Sequence, residues 1–177
     1  MAWTAPATWV ANQTLTAAML NAQLRDNFLE LDVAKALTEG SIIGTAGLNS
    51  LAEKVPAFTT FLTTDVVANL TYVPLTSLSV TLTTGTVALV LNACKMQNNT
   101  ANQSTWCSWA VSGATTVAAA DSKALVLNGM AANFPSQFSD FYLITGLTPG
   151  SNTFTQQFHV DGGTATVGPR QLVVWPQ

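Results

Sequence analysis

From Ala57 to the last residue, apolar and polar side chains alternate in short runs, and Gly, Pro, Asn or Asp falls between the runs. Few folds accept that pattern. A period of two places one set of side chains on one face of a strand, whereas a helix needs a period near 3.6. Residues 58–73 are rich in Thr, Val, Phe and Tyr, types that fit a pleated surface. Leu78, Val80 and Leu82 alternate with Ser79, Thr81 and Thr83, and Thr84-Gly85 signals a turn. Residues 87–91 read as the next strand. Residues 106–111 alternate again, with Gly113 after them, and 141–145 form a further strand. A turn at 146–150 contains Pro149. Residues 153–160 alternate, Asp161-Gly162-Gly163 turns the chain, 164–167 is a short strand, and 171–175 closes it. Strands at this spacing, with turn signals between them, predict an antiparallel β-sandwich or barrel over 57–177. No internal repeat is visible.

The first 37 residues obey different rules. Trp3 and Trp9 flank Pro6, which opposes helix. Thr14 or Thr16 can cap a first helical turn by accepting an otherwise orphaned amide proton. Residues 17–37 contain neither Gly nor Pro, and Leu20, Leu24, Phe28 and Leu31 recur at helical spacing as one apolar stripe. Arg25, Asp26, Glu30 and Asp32 fall largely off it. These features predict an N-terminal arm and one amphipathic helix over 1–37. Residues 38–56, with Gly40, Gly44, Gly47 and Pro56, read as a linker in which Leu48, Leu51 and Val55 are spaced for a short helical turn.

Only 8 % of the residues are charged, against about 25 % in an ordinary soluble domain. Two explanations are compatible: partners cover much of the surface, or Thr, Ser, Asn and Gln keep it polar without charge. The six basic residues, Arg25, Lys35, Lys54, Lys95, Lys123 and Arg170, form no stripe. A nucleic-acid partner is therefore not expected. No apolar run approaches the length of a membrane span. Residues 1–10 lack a basic segment followed by an apolar one, so no secretory leader is expected and the chain is expected to stay in the cytosol until assembly. Cys94 and Cys107 match no zinc or redox spacing; free thiols are the expectation, with a late disulfide between neighbouring strands as the alternative.

Groups capable of catalysis are scarce. His159 is the only histidine, and Asp161 two residues on shares its face of a strand. A dyad could use that spacing, as could a strand-edge histidine beside a hairpin turn with no chemistry at all. No serine stands in a G-x-S-x-G context. One histidine and two cysteines cannot build an ordinary zinc site, and the Asp161 turn lacks the further acids that calcium requires. No enzyme activity, cofactor or metal is expected. Five tryptophans admit a carbohydrate-binding reading. Trp106 and Trp109, however, are an odd number of residues apart and point to opposite faces, so at least one belongs in a core or an interface. Trp3 and Trp9 suit an aromatic anchor.

Two stretches resemble a known family. Thr8-Trp9-Val10, Leu15-Thr16-Ala17-Ala18-Met19-Leu20-Asn21 and Leu24-Arg25-Asp26-Asn27 look like the amino-terminal pattern of tailed-bacteriophage minor capsid, head-decoration or minor tail proteins. Residues 75–82 with the Thr84-Gly85-Thr86 turn, and Gly146-Leu147-Thr148-Pro149-Gly150 through the terminal strand, resemble the carboxy-terminal jelly-roll domains of the same proteins, similar in outline to tumour-necrosis-factor-like folds. Those strands often carry more charge in the family than here. The resemblance implies a jelly-roll sandwich assembled as a homotrimer on a major capsid protein or a tail protein of a virion. Trp3, Trp9, Leu20, Leu24, Phe28 and Leu31 would then form the anchor. Apolar strands such as Leu172-Val173-Val174 would bury one side in their own core and the other against neighbours, with Leu172, Val174 and Trp175 as subunit contacts. Two placements stay open: a decoration or minor capsid protein on the head, or a tail or fibre component whose jelly roll binds a receptor or host-surface glycan.

Overall fold

The computed structural model describes residues 13–14, 16–21, 38–47 and 50–177. The chain splits into two compact units, Met1–Val55 and Pro56–Gln177. In the first, Thr16 caps one helical turn, α1 (Ala17–Leu20), its hydroxyl accepting the Met19 amide proton at 3.2 Å. Leu20 is exposed. Leu24, Phe28 and Leu31, with Trp3 and Trp9, lie outside the described residues.

The spacing of Leu48, Leu51 and Val55 predicts a helical turn in a linker; the structure has a hairpin there instead. β1 (Ile42–Gly47) pairs antiparallel with β2 (Ser50–Lys54), from Ile42 opposite Lys54 to Gly47 opposite Ser50. The three- and four-residue intervals imitate a helix, but β-branched Ile42, Ile43 and Thr45 favour extended backbone. Glycines at 44 and 47 further disfavour helix.

The second unit is a sandwich of two antiparallel sheets. Its strands are β3 (Ala57–Phe61), β4 (Asp65–Val67), β5 (Val73–Thr84), β6 (Val87–Asn98), β7 (Thr105–Gly113), β8 (Leu125–Leu127), β9 (Ser136–Thr145), β10 (Gly150–Val160) and β11 (Ala165–Pro176). One sheet runs β5-β10-β7-β8. The other runs β3-β11-β6-β9, with β4 also paired to β11. From β5 onward the chain changes sheet at every connection except β7 to β8. That wrapping is a jelly roll.

The alternation read from the sequence decides what is inside. On β6, Ala88, Val90, Asn92, Cys94 and Met96 are buried; on β10, Asn152, Phe154, Gln156, Phe158 and Val160 are. The apolar interior forms two clusters, one around Trp109, Phe154 and Leu172, the other around Met96, Phe158 and Val167. Between them β6, β10 and β11 each contribute one polar side chain: Asn92, Gln156 and Arg170. Gln156 Nε2 donates to Asn92 Oδ1 at 2.6 Å, and Asn92 Nδ2 donates to the Cys107 carbonyl at 3.1 Å. Buried polar groups are tolerable when paired in this way.

Arg170 reaches the interior because β11 bulges. Val167 and Arg170 are three positions apart while their partners Met96 and Cys94 are two apart, so both face inward. Gly168 makes this possible: its φ is +125°, and a Cβ there would collide with the Thr63 carbonyl oxygen. The runs 164–167 and 171–175, read as two strands, are therefore one. Arg170 Nη2 pairs with Asp65 Oδ2, and its guanidinium lies 4.3 Å from the Phe61 ring centroid.

Candidate functional site

The same alternation gives each sheet an outer face, and the two differ. On the five-stranded sheet, Val173 pairs with Phe58 on one side and Leu91 on the other, and Leu91 pairs with Phe141. The next row is Trp175, Leu89 and Leu143. Their strand neighbours Ala88, Val90, Leu172 and Val174 fill the core, so these rows point away from it. Phe58 is 69 % exposed, Phe141 58 % and Leu143 59 %. The Phe141 and Trp175 rings lie 6.2 Å apart. Lys95, beyond these rows, is the only charged side chain at the outward positions of β3, β4, β6, β9 and β11.

On the four-stranded sheet the outward positions of β5 and β10 carry hydroxyls. Ser79 and Thr155 share a hydrogen bond at 2.9 Å, and Thr81 and Thr153 share one at 2.8 Å. At one end of this face stands a cluster of rings and acids. Trp106 on β7 and His159 on β10 are paired across the ladder, and their rings are parallel within 5° with centroids 5.6 Å apart. Tyr72 meets His159 edge-on at 4.4 Å. Asp121, in a short 3-10 turn (Asp121–Lys123), accepts from the Tyr72 hydroxyl at 2.9 Å and contacts His159 Nε2 at 3.1 Å. Asp161 accepts the Trp106 indole proton at 3.3 Å. Burial, then the hydrogen bond to Asp121 and its charge, push the Tyr72 hydroxyl well above the usual tyrosine range.

The His159–Asp161 pairing suggested by sequence spacing is not formed. His159 uses Asp121, 38 residues upstream, and Asp161 holds a tryptophan. His159 Nε2 is committed to a carboxylate, and Nδ1 is buried with no hydrogen-bond partner among the described residues. Neither ring nitrogen faces a hydroxyl or thiol it could activate. Nothing in the sequence pointed to Asp121 or Tyr72, because strand order alone brings them here.

Trp109 is 1 % exposed and Trp106 is partly exposed, as their odd spacing requires. The Lys123 ammonium sits 3.8 Å from the Trp109 ring centroid, and burial lowers its pKa to about 8. Cys94 and Cys107 are free and buried; burial, then the hydrogen bond with Cys94, raises the Cys107 thiol well above the ordinary range. Leu172 and Val174, expected at a subunit interface, have no exposed surface. Strand parity turns them inward and turns Val173 and Trp175 outward, so of the three expected contacts only Trp175 offers surface. Among the described residues no three His, Cys, Asp or Glu gather as metal ligands, and no helix is long and apolar enough to cross a membrane.

No family model matches the chain, and no curated protein matches its sequence. Among solved structures, its fold is similar to that in the T=1 particles derived from infectious bursal virus, with a TM-score of 0.53 at 12 % identity over 77 % of this chain and 36 % of that one. It is also similar to the structure of infectious bursal disease virus Gt strain, with a TM-score of 0.51 at 12 % identity over 77 % and 37 %. Eiger TNF from S. frugiperda overlaps 70 % of this chain and 92 % of its own at 8 % identity, with a TM-score of 0.49. This chain spans little more than a third of the two viral chains. What it shares with them is the fold.

Proposed function

We propose that this chain is a structural protein of a bacteriophage virion. In this reading it is a homotrimeric capsid-decoration or minor capsid protein that binds and stabilises the head shell. The observation that carries it is the outer face of the five-stranded sheet. Phe58, Leu91, Phe141, Leu143 and Trp175, packed around the buried Val173, form a contiguous apolar surface of the kind that soluble monomers rarely leave uncovered. It carries no charge to select an unlike partner, so copies of the same face are its natural cover. A three-fold axis lets three such faces close on one another and removes them from water. The similarity in fold to viral particle structures supports a role in a virion, as does the low charge of the whole chain. Such a protein would assemble in the host bacterial cytoplasm and act without cofactor or catalysis.

The anchor belongs to residues 1–37 in this reading, with Trp3, Trp9, Leu20, Leu24, Phe28 and Leu31 making the contact with the shell. Residues 38–56 connect it to the sandwich at 57–177. A tail position would use the same parts. Light scattering of the purified chain is expected to give three times its 18.6 kDa mass. A monodisperse monomer at micromolar concentration sinks the proposal. In the full chain, Leu24→Asp with Phe28→Asp is expected to lower the number of copies bound per particle while leaving the trimer intact.

A further inference from the structure

The sandwich is almost without charge, yet its chemistry is gathered in one place. The second unit contains four acids, Asp65, Asp121, Asp140 and Asp161. Asp65 is used inside against Arg170, and Asp140 accepts its neighbouring Phe141 amide proton. The other two converge on the only histidine and on Trp106, on the outer face of the four-stranded sheet.

The geometry points to a binding site for a neutral saccharide at Trp106, flanked by Asp121 and Asp161. Three features support it. First, the indole is fixed before any ligand arrives: its N–H is held by Asp161 and one ring face is stacked on His159, itself held by Asp121 and Tyr72. A rigid aromatic binds with little loss of conformational freedom. Second, both carboxylates are solvent-facing, and among the described residues the second oxygen of each accepts no hydrogen bond. Sugar hydroxyls donate well to such oxygens, because charge-assisted hydrogen bonds are the stronger kind, while the apolar C–H face of a pyranose suits an aromatic surface. Third, Asp121 already receives the Tyr72 hydroxyl and Asp161 the indole N–H, so part of each charge is compensated. That favours a neutral polyol over an organic cation, which would seek carboxylates whose charge is not already shared with a donor.

This site does not depend on the self-assembly reading. It lies on the opposite sheet from the apolar face, so a trimer closed through that face leaves the saccharide site open to solvent.

The test is titration of the full chain with methyl glycosides of glucose, galactose, mannose and N-acetylglucosamine and their short oligomers. The readout is the Trp106 indole signal in nitrogen–proton correlation spectra, assigned by its loss in Trp106→Phe. At least one saccharide is expected to move that signal saturably, with affinity in the millimolar range or better. Asp161→Asn keeps an acceptor for the indole but removes the charge, and is expected to weaken binding about tenfold; Asp121→Asn acts in the same direction. The proposal is overturned if no member of the panel moves the Trp106 signal. Saturable binding of tetramethylammonium without any saccharide overturns it too, as does saccharide binding that perturbs other tryptophans and leaves Trp106 unmoved. Light scattering on the same samples reports the oligomer separately.

Discussion

The two outer faces of the sandwich are built from strands of similar length and the same alternating geometry, yet one is apolar and the other is covered by hydroxyls. On the four-stranded sheet, β5 and β10 turn Leu78, Val80, Phe154 and Phe158 inward and present Ser79, Thr81, Thr153 and Thr155 to water. On the five-stranded sheet, β9 and β11 turn Ile144, Leu172 and Val174 inward and still present Phe141, Leu143 and Trp175. A strand with one wet face needs alternation. A near-continuous apolar run, such as Phe141-Tyr142-Leu143-Ile144 or Leu172-Val173-Val174-Trp175, indicates a strand whose two faces are both to be buried. In the function proposed above, the apolar face is the one that assembly covers.

The sharpest way to break that comparison is to place the same charge on each face. Phe141→Lys is expected to convert the proposed trimer to monomer, weakening association at least about a thousandfold, because desolvating an unpaired ammonium costs several kcal/mol. Thr153→Lys, on the hydroxyl face, should leave the oligomer unchanged. Sedimentation equilibrium on both variants decides the matter. Equal effects from the two would mean that the faces are not functionally distinct.

A second, smaller effect tests what supports the apolar face from behind. Asp65 on β4 is the partner of Arg170 on β11, whose side chain has no exposed surface. Asp65→Ala leaves that guanidinium inside without its carboxylate. Breaking a buried pair costs about 3–5 kcal/mol; the lower end applies here because Asp65 is 24 % exposed. Urea unfolding should show this loss, and Arg170→Met in the Asp65→Ala background should recover most of it. Loss below 1 kcal/mol would mean that the pair contributes little to holding β4 on β11.

Much of this architecture was legible because strand parity is local. Leu78 to Leu82 and Phe154 to Val160 announce which residues go inside, and Thr84-Gly85 and the Asp161 turn announce where the chain reverses. Other features depend on facts no window of sequence carries. Leu172 and Val174 stand beside Trp175 as the subunit contacts that the resemblance implies, because an apolar run has no visible parity; only its partners Asn92 and Val90 reveal which half faces in. The bulge at Gly168-Pro169 hid the continuity of β11. The hairpin of β1 and β2 was masked by leucines at helical intervals. The cluster at Trp106 joins residues 72, 106, 121, 159 and 161, brought together by the order of strands in the sheet. His159 and Asp161 looked paired because they are close in sequence, but position in the sheet gave each a different partner.

The smallest expected effect lies where the two sheets meet at Trp109. Lys123 has its pKa lowered from 10.5 to about 8 by burial. Its ammonium also sits on the face of the indole, which favours the charged form and offsets part of that burial. Between the folded and unfolded pKa values the unfolded chain binds more protons, so stability rises as pH increases from about 8 toward 10.5. Cys107 acts in the opposite sense. Its folded pKa lies above the ordinary 9.0, so above that pH the unfolded thiol ionises while the folded one keeps its proton, and stability falls. Tyr72, raised above 10.0, adds to the fall at still higher pH. The wild-type chain, unfolded by urea under reducing conditions, should therefore gain stability from about pH 8, level off above about pH 9 where the Lys123 and Cys107 slopes cancel, and lose it beyond about pH 10 as Tyr72 adds to the fall. Lys123→Met removes the ammonium while keeping an apolar side chain against the indole. It should abolish the rising limb and leave the falling one. A rising limb that persists in Lys123→Met would assign the titration to another group, and would leave Lys123 as a cation held on Trp109 by the ring itself.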